Sequence, residues 1–116
     1  MKTVTFNIQT LDSALADFGE MWKSGNSDTS AHIGFETWDL MYRVLSPKRL
    51  DIVRAMAGAG PLSIREIARR VGRDFKGVHS DTVLLFESGV LQKDPHGKLV
   101  FPYDRIRVDF EIPAAA

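Results

Sequence analysis

Three helix start signals follow one another between residues 46 and 74, and they leave room only for short helices joined by short turns. Ser46-Pro47 is a helix cap followed by proline at the first helical position, where its missing N–H group removes no helix hydrogen bond. Ser63 and Glu66 have the spacing of a capping box, and Asp74 is a third cap. The segments end at Gly58-Ala59-Gly60-Pro61, Gly72 and Gly89. The pattern predicts a cluster of three helices.

Extended segments flank this cluster on both sides. Alternating apolar residues predict a strand over residues 4–8, and a second short strand is expected at His32–Glu36, before a short helix near residues 40–45. After the cluster, Asp94-Pro95-His96-Gly97 has the composition of a type I turn and predicts a hairpin of residues 90–93 and 98–101. A last strand is expected over residues 103–112, with its inward positions at Ile106, Val108, Phe110 and Ile112.

These segments predict three parts of the chain. Residues 1–30 are expected to form a strand–helix arm and a linker, since residues 23–30 contain no apolar side chain. Residues 31–112 are expected to form one domain, and residues 113–116 a tail. The arm's helix carries a stripe of Leu11, Leu15, Phe18 and Trp22.

Three helices followed by a hairpin is the order of elements in a winged helix-turn-helix. Ala68 supplies a small residue where two helices cross, Gly72 accepts the left-handed turn, and Val78 pins the following helix onto the preceding one. The expected fold class is therefore α+β, a winged helix-turn-helix with an N-terminal strand–helix arm and a C-terminal strand.

Charge is unevenly distributed along a chain that has 15 basic and 15 acidic side chains. Residues 1–42 carry a net charge of −4, residues 43–79 carry +6 and residues 80–116 carry −2. A basic segment between acidic ends predicts a surface that faces an anion. A recognition helix brings its N-terminal residues near base edges, while the preceding helix faces phosphates. The expected DNA-binding residues are Lys48, Arg49, Arg65, Arg69, Arg70, Arg73, Lys76, His79, Ser80 and Lys98.

A resemblance to a known family rests on four segments: Leu45-Ser46-Pro47-Lys48-Arg49, Leu62-Ser63-Ile64-Arg65-Glu66-Ile67-Ala68-Arg69-Arg70, Arg73-Asp74-Phe75-Lys76-Gly77-Val78-His79 and Pro102-Tyr103-Asp104-Arg105-Ile106. They resemble small prokaryotic DNA-binding proteins that have a MarR-like winged helix and are often paired with a neighbouring toxin. The resemblance spans residues 31–112. It implies a transcriptional regulator and, in more detail, an antitoxin that represses its own operon and neutralises the toxin. Ser80 and Val83 occupy recognition-helix positions that are basic in similar sequences.

The arm and the last strand are too apolar to be left in water. They are expected to pair with each other, within one chain or across a homodimer, and both arrangements fit the pattern. The expected dimer or partner contacts are Val4, Phe6, Ile8, Leu15, Phe18, Trp22, Ile106, Val108 and Phe110. The alternative to DNA binding is a protein-interaction module, in which the acidic arm binds a basic toxin and the winged helix is only a scaffold.

Several classes of function are not expected. The chain has no cysteine, which excludes disulfides, thiolate catalysis and cysteine-ligated metals. His32, His79 and His96 do not have the spacing of a metal site, so we expect neither metal nor cofactor. No set of nucleophile and base is visible, and we expect a binding protein and not an enzyme. The absence of an 18-residue apolar stretch and of a secretory leader predicts a cytoplasmic protein without membrane association.

Overall fold

The computed structural model describes residues 2–9, 31–109, 111 and 114, and these residues form an α+β fold. Two strands come first, β1 (Thr3–Ile8) and β2 (Ala31–Phe35). Four helices follow in this part of the chain: α1 (Trp38–Val44), α2 (Pro47–Met56), α3 (Ile64–Val71) and α4 (Phe75–Glu87). The last strands are β3 (Gln92–Lys93), β4 (Leu99–Val100) and β5 (Arg105–Asp109).

Strand β1 lies at the centre of a parallel sheet in the order β2–β1–β5. Phe6 is in register with Ile33 of β2 on one side and with Val108 of β5 on the other. The expected pairing of the N-terminal and C-terminal strands therefore occurs within one chain. The described part of the predicted arm is not separate from residues 31–112, because β1 is the strand that joins β2 to β5. The arm's predicted helix lies outside the described residues.

One apolar core connects this sheet to the helices. Val4 and Phe6 are fully buried, and the Phe6 ring meets the rings of Phe35 and Phe101 edge-on, with centroids 6.2 and 6.5 Å away. Phe35 ends β2 and Phe101 follows β4, so the Phe6 ring contacts residues from both the parallel sheet and the end of the hairpin. The helices contribute side chains that are also fully buried: Ile52, Val53, Met56, Ile67, Val78 and Leu85.

The three predicted helix starts are confirmed. The Ser46 hydroxyl accepts from Arg49 N, the Ser63 hydroxyl from Glu66 N at 3.1 Å, and the Asp74 carboxylate from Gly77 N at 2.9 Å. These local caps satisfy backbone donors that a helix cannot satisfy itself. None of the described helices is long and apolar enough to cross a membrane.

The predicted hairpin is confirmed, with two-residue strands on each side of its turn. Gly97 N donates to Asp94 O at 3.0 Å across the turn. Leu62, just before α3, exchanges two backbone hydrogen bonds with Leu99 of β4, at 2.7 and 2.9 Å. Sequence periodicity gave no sign of this one-residue bridge, which fixes the hairpin to the helices.

Val108 was predicted to face inward but is exposed, and two phenylalanines of α4 are exposed as well. Phe75 and Phe86 stand partly in solvent because α4 buries a narrow stripe of Val78, Thr82 and Leu85. Val108 is 49% exposed and lies on β5, at the edge of the sheet order β2–β1–β5. The predicted inward positions 110 and 112 lie outside the described residues.

Asp81 of α4 joins four parts of the helical cluster through two arginines, and we call this group the Asp81 bridge. Arg49 Nη1 donates to Asp81 Oδ1 at 3.1 Å, and Arg49 also donates to the carbonyls of Val44, at 2.7 Å, and Arg43. Arg73 Nη1 lies 2.8 Å from Asp81 Oδ2 as an ion pair, although its N–H does not point along a hydrogen bond. The bridge therefore ties the end of α1, the start of α2 and the α3–α4 turn to α4.

Replacing Phe6 with alanine is expected to lower the free energy of unfolding by about 3–5 kcal/mol, because it leaves a cavity where sheet and helices meet. Urea unfolding followed by circular dichroism measures this loss. Tyr42→Ala is the control, since the Tyr42 side chain is 69% exposed and loses a surface ring contact with Trp38, which should change stability by about 1.5 kcal/mol or less. Equal effects of the two substitutions would contradict the assignment of β1 to the core.

Replacing Asp81 with alanine is expected to destabilise the fold by about 1–3 kcal/mol, because two half-buried guanidinium groups lose a shared acceptor. The matched control is Asp51→Ala. Asp51 pairs with Arg54 at 3.8 Å, where both side chains are more than half exposed, and such surface pairs contribute about 0–1 kcal/mol. The same urea titration compares the two, and a loss no larger for Asp81→Ala than for Asp51→Ala would refute the role of the bridge.

Candidate nucleic-acid interface

Helices α3 and α4 are joined by the three-residue turn 72–74. Gly72 has φ +69°, which is the left-handed conformation that glycine adopts without steric strain. Gly72 N and Arg73 N donate back to Arg69 O and Ala68 O at 3.3 and 3.1 Å, and these bonds close the end of α3. Ile67 and Ala68 of α3 are buried with Val78 of α4. The sequence pattern of a small residue, glycine and an apolar residue therefore marks a real pair of packed helices.

The start of α4 is held by Asp74. The hydrogen bond from Gly77 N is the main cause that lowers the pKa of the Asp74 carboxyl, and the charges of Arg73 and Lys48 lower it further. A Cβ atom at Gly77 would lie 3.1 Å from Arg73 Nη2 and 3.2 Å from Asp74 Oδ1. Glycine inside this helix therefore leaves room for the capping carboxylate and for the Arg73 side chain on its way to Asp81.

The outer face of α4 consists of residues 76, 80, 83 and 87, which lie opposite the buried stripe. It presents exposed Lys76, Ser80, Val83 and Glu87. His79 lies beside this face, stacked on the Phe75 ring with centroids 5.9 Å apart and 23° between the planes. Three of the residues that the sequence predicted for DNA binding, Lys76, His79 and Ser80, are thus brought together at one exposed surface.

Two other predicted DNA-binding residues do not reach this surface. The side chains of Arg49 and Arg73 are only 19% and 22% exposed, and both are turned toward Asp81. Their charge is already paired inside the helical cluster, so we assign them to positioning α4 and not to ligand contact. Sequence reasoning did not single out Asp81, although its place between Val78 and Thr82, next to the buried stripe, was a usable signal.

The exposed cations of α3 are partly neutralised by one acid. Glu66 accepts from Arg69 Nε at 3.1 Å and from Arg70 Nε at 3.2 Å, and these bonds lower the pKa of the Glu66 carboxyl, Arg69 contributing most. The Glu66 carboxylate in turn raises the pKa of Arg69. Exposed ion pairs of this kind contribute only about 0–1 kcal/mol. Arg65 is exposed on the same helix, and Lys48 is exposed at the start of α2.

The hairpin turn is closed by hydrogen bonds to Asp94 but carries little charge. Asp94 Oδ1 accepts from His96 N at 3.0 Å and from Lys98 N at 2.8 Å. Lys98 is exposed at this turn, as the sequence predicted. Lys93 Nζ lies 4.4 Å from the Phe86 ring, so β3 and α4 are also linked by a cation–π contact that the sequence did not indicate.

The predicted dimer or partner contacts are distributed between the core and the surface. Val4 and Phe6 are fully buried in the core of their own chain, which corrects the expectation that they form a contact surface. Ile8 and Ile106 are half-buried against the same core, and Val108 is exposed. The positions outside the described residues are Leu15, Phe18, Trp22 and Phe110.

An open groove of about 420 Å³ lies between α2 and α3 and is lined by Asp51, Arg54, Ala55, Arg70 and Val71. Its cations face acids of their own, Asp51 beside Arg54 and Glu66 beside Arg70. Within the described residues, no three histidine or carboxylate side chains are grouped as metal ligands.

The sequence profile of the HVO_A0114 family matches residues 44–108. This segment contains α2, α3, α4, the hairpin and nearly all of β5, together with the three residues of the Asp81 bridge. No curated protein matches the sequence. Because the profile covers more than half of the chain, the protein belongs to the HVO_A0114 family.

Proposed function

We propose that the protein binds duplex DNA and regulates transcription, using residues 47–100 as a winged helix-turn-helix. The order of elements supports this reading: α2, the Leu62 bridge, α3, a three-residue turn, α4 and the β3–β4 hairpin. The observation that carries the proposal is the outer face of α4, which exposes Lys76 and Ser80 with His79 beside it, on a helix that the Asp81 bridge ties to its neighbours. In this arrangement α4 is the recognition helix.

The exposed side chains divide into two roles. Lys76, His79 and Ser80 have hydrogen-bond donors that suit base edges in the major groove, and the Val83 side chain suits a thymine methyl group. Arg65, Arg69 and Arg70 on α3, with Lys48 at the start of α2, suit phosphate oxygens. Phosphate can replace the Glu66 carboxylate at Arg69 and Arg70, because both arginines are exposed. Lys98 in the hairpin turn adds a further backbone contact.

This division predicts that phosphate contacts supply most of the affinity. The outer face of α4 carries a single cation, Lys76, and Glu87 lies at its far end. Affinity should therefore fall steeply with salt, because each neutralised phosphate releases counterions. The more detailed role of an autoregulating antitoxin rests on the resemblance of the four sequence segments described above.

A second candidate function is a protein-interaction module that uses the same fold as a scaffold. It is favoured by the apolar side chains exposed on α4, since Phe75, Val83 and Phe86 are each between 39% and 48% exposed. Exposed apolar side chains grouped on one helix are typical of a protein-interaction surface. The two functions differ in their response to duplex DNA.

Fluorescence anisotropy with a labelled duplex from the promoter of the protein's own gene separates these functions. We expect binding at low salt that weakens as salt rises. Lys76→Ala should lose about 1–3 kcal/mol on the preferred sequence and less on random duplex, whereas Arg69→Ala should weaken both equally and reduce the salt slope by about one.

Lys2→Ala is the matched control, because it removes one exposed charge just before β1, on neither α3 nor α4. It should bind as the unchanged protein does. Absence of binding to any duplex at low salt would overturn the regulatory proposal and favour the interaction module. If Lys76→Ala lost the same affinity on both duplexes, the base-reading role of α4 would be wrong, but the proposal of DNA binding would stand.

A further inference from the structure

The outer edge of β5 is open in the described part of the chain. The sheet order is β2–β1–β5, and within the described ranges no strand pairs with β5 on the side away from β1. Arg105 N donates to Lys2 O at 3.1 Å, so the odd-numbered residues of β5 direct their backbone groups at β1. Because backbone groups alternate along a strand, the N–H and C=O of Val108 point to the open edge. An edge of this kind is available for pairing with another strand.

The sequence at and just after β5 forms a charge-reversed palindrome centred on Val108. Arg107 lies one residue before Val108 and Arg105 three residues before it. Asp109 lies one residue after Val108 and Glu111 three residues after it. If two copies of the strand run antiparallel about Val108, residue 107 lies opposite residue 109 and residue 105 opposite residue 111. Each opposed pair then joins an arginine to a carboxylate, and two-fold symmetry produces every pair twice.

We propose that two copies of the chain associate through β5, antiparallel and centred on Val108, to make one continuous sheet across the dimer. Val108 and its symmetry mate would exchange two backbone hydrogen bonds, which is the pairing their outward N–H and C=O groups allow. Their exposed side chains would cover each other on the same face of the sheet. Arg107 and Asp109 fall at the positions where opposite side chains are closest.

Alternative pairings are less complementary. An axis through Arg107 places two arginines directly opposite each other. Strand β2 is the other edge of the sheet among the described strands, and its sequence Ala31-His32-Ile33-Gly34-Phe35 contains no opposed charges. The occupant that fits β5 is therefore a second β5. This inference does not depend on DNA binding.

Charge complementation tests the proposal directly. Arg107→Asp places two aspartates opposite each other at both pairs, and Asp109→Arg places two arginines there, so each variant alone should be monomeric. Mixed together, the two variants restore an arginine opposite an aspartate at every such position and should form a mixed dimer. Light scattering after size exclusion, at tens of micromolar, distinguishes twice the 13.0 kDa mass of one chain from a single chain.

Arg65→Asp is the matched control, because it makes the same change in net charge on α3, and it should stay dimeric. Circular dichroism verifies that each variant is folded. If Arg107→Asp or Asp109→Arg is unfolded, the variants Arg107→Glu and Asp109→Lys replace them in the same mixing experiment. A monomeric unchanged protein would overturn the proposal. So would single variants that remain dimeric, or folded monomeric variants that fail to associate when mixed.

Discussion

The Asp81 bridge is the interaction on which the arrangement of the helices depends. One carboxylate receives Arg49 from the start of α2 and Arg73 from the α3–α4 turn, while Arg49 also caps the last carbonyls of α1. Removing water from charged groups is unfavourable, so such a group persists only when each charge meets its partner. The bridge therefore ties α4 to the other helices, while the buried stripe of Val78, Thr82 and Leu85 decides which face of α4 is presented to solvent.

These ion pairs change how the basic segment 43–79 is interpreted. Its net charge of +6 suggested a broad anion-binding surface, yet Arg49 and Arg73 serve the fold, and Arg69 and Arg70 share Glu66. The surface that remains is narrow and consists of the outer face of α4, the exposed side of α3 and the hairpin turn. The family profile covers all of these and the bridge, but neither β1 nor β2. Strand β1 contributes to the apolar core, through the buried Phe6 side chain.

Much of the fold could be predicted because its signals are local. Ser46, Ser63 and Asp74 cap helices through bonds that span three residues, and the Asp94 turn is equally local. The sequence left open whether β1 pairs with β5 within one chain or across a homodimer. About one hundred residues separate the two strands, and alternation of apolar residues does not specify a partner. The site was predicted in part for a similar reason. A basic residue in a sequence does not reveal its acceptor, so Arg49 and Arg73 were assigned to DNA while Asp81 was overlooked.

The central claim is that the bridge-positioned outer face of α4 is the surface that meets duplex DNA. Titration of the ¹⁵N-labelled protein with a promoter duplex, followed by amide NMR shifts, tests this residue by residue. The account predicts the largest shifts at Lys76, His79, Ser80 and Val83, with smaller shifts along α3 and at Lys98. Shifts confined to Trp38–Val44 or to β5, with α4 unchanged, would contradict it.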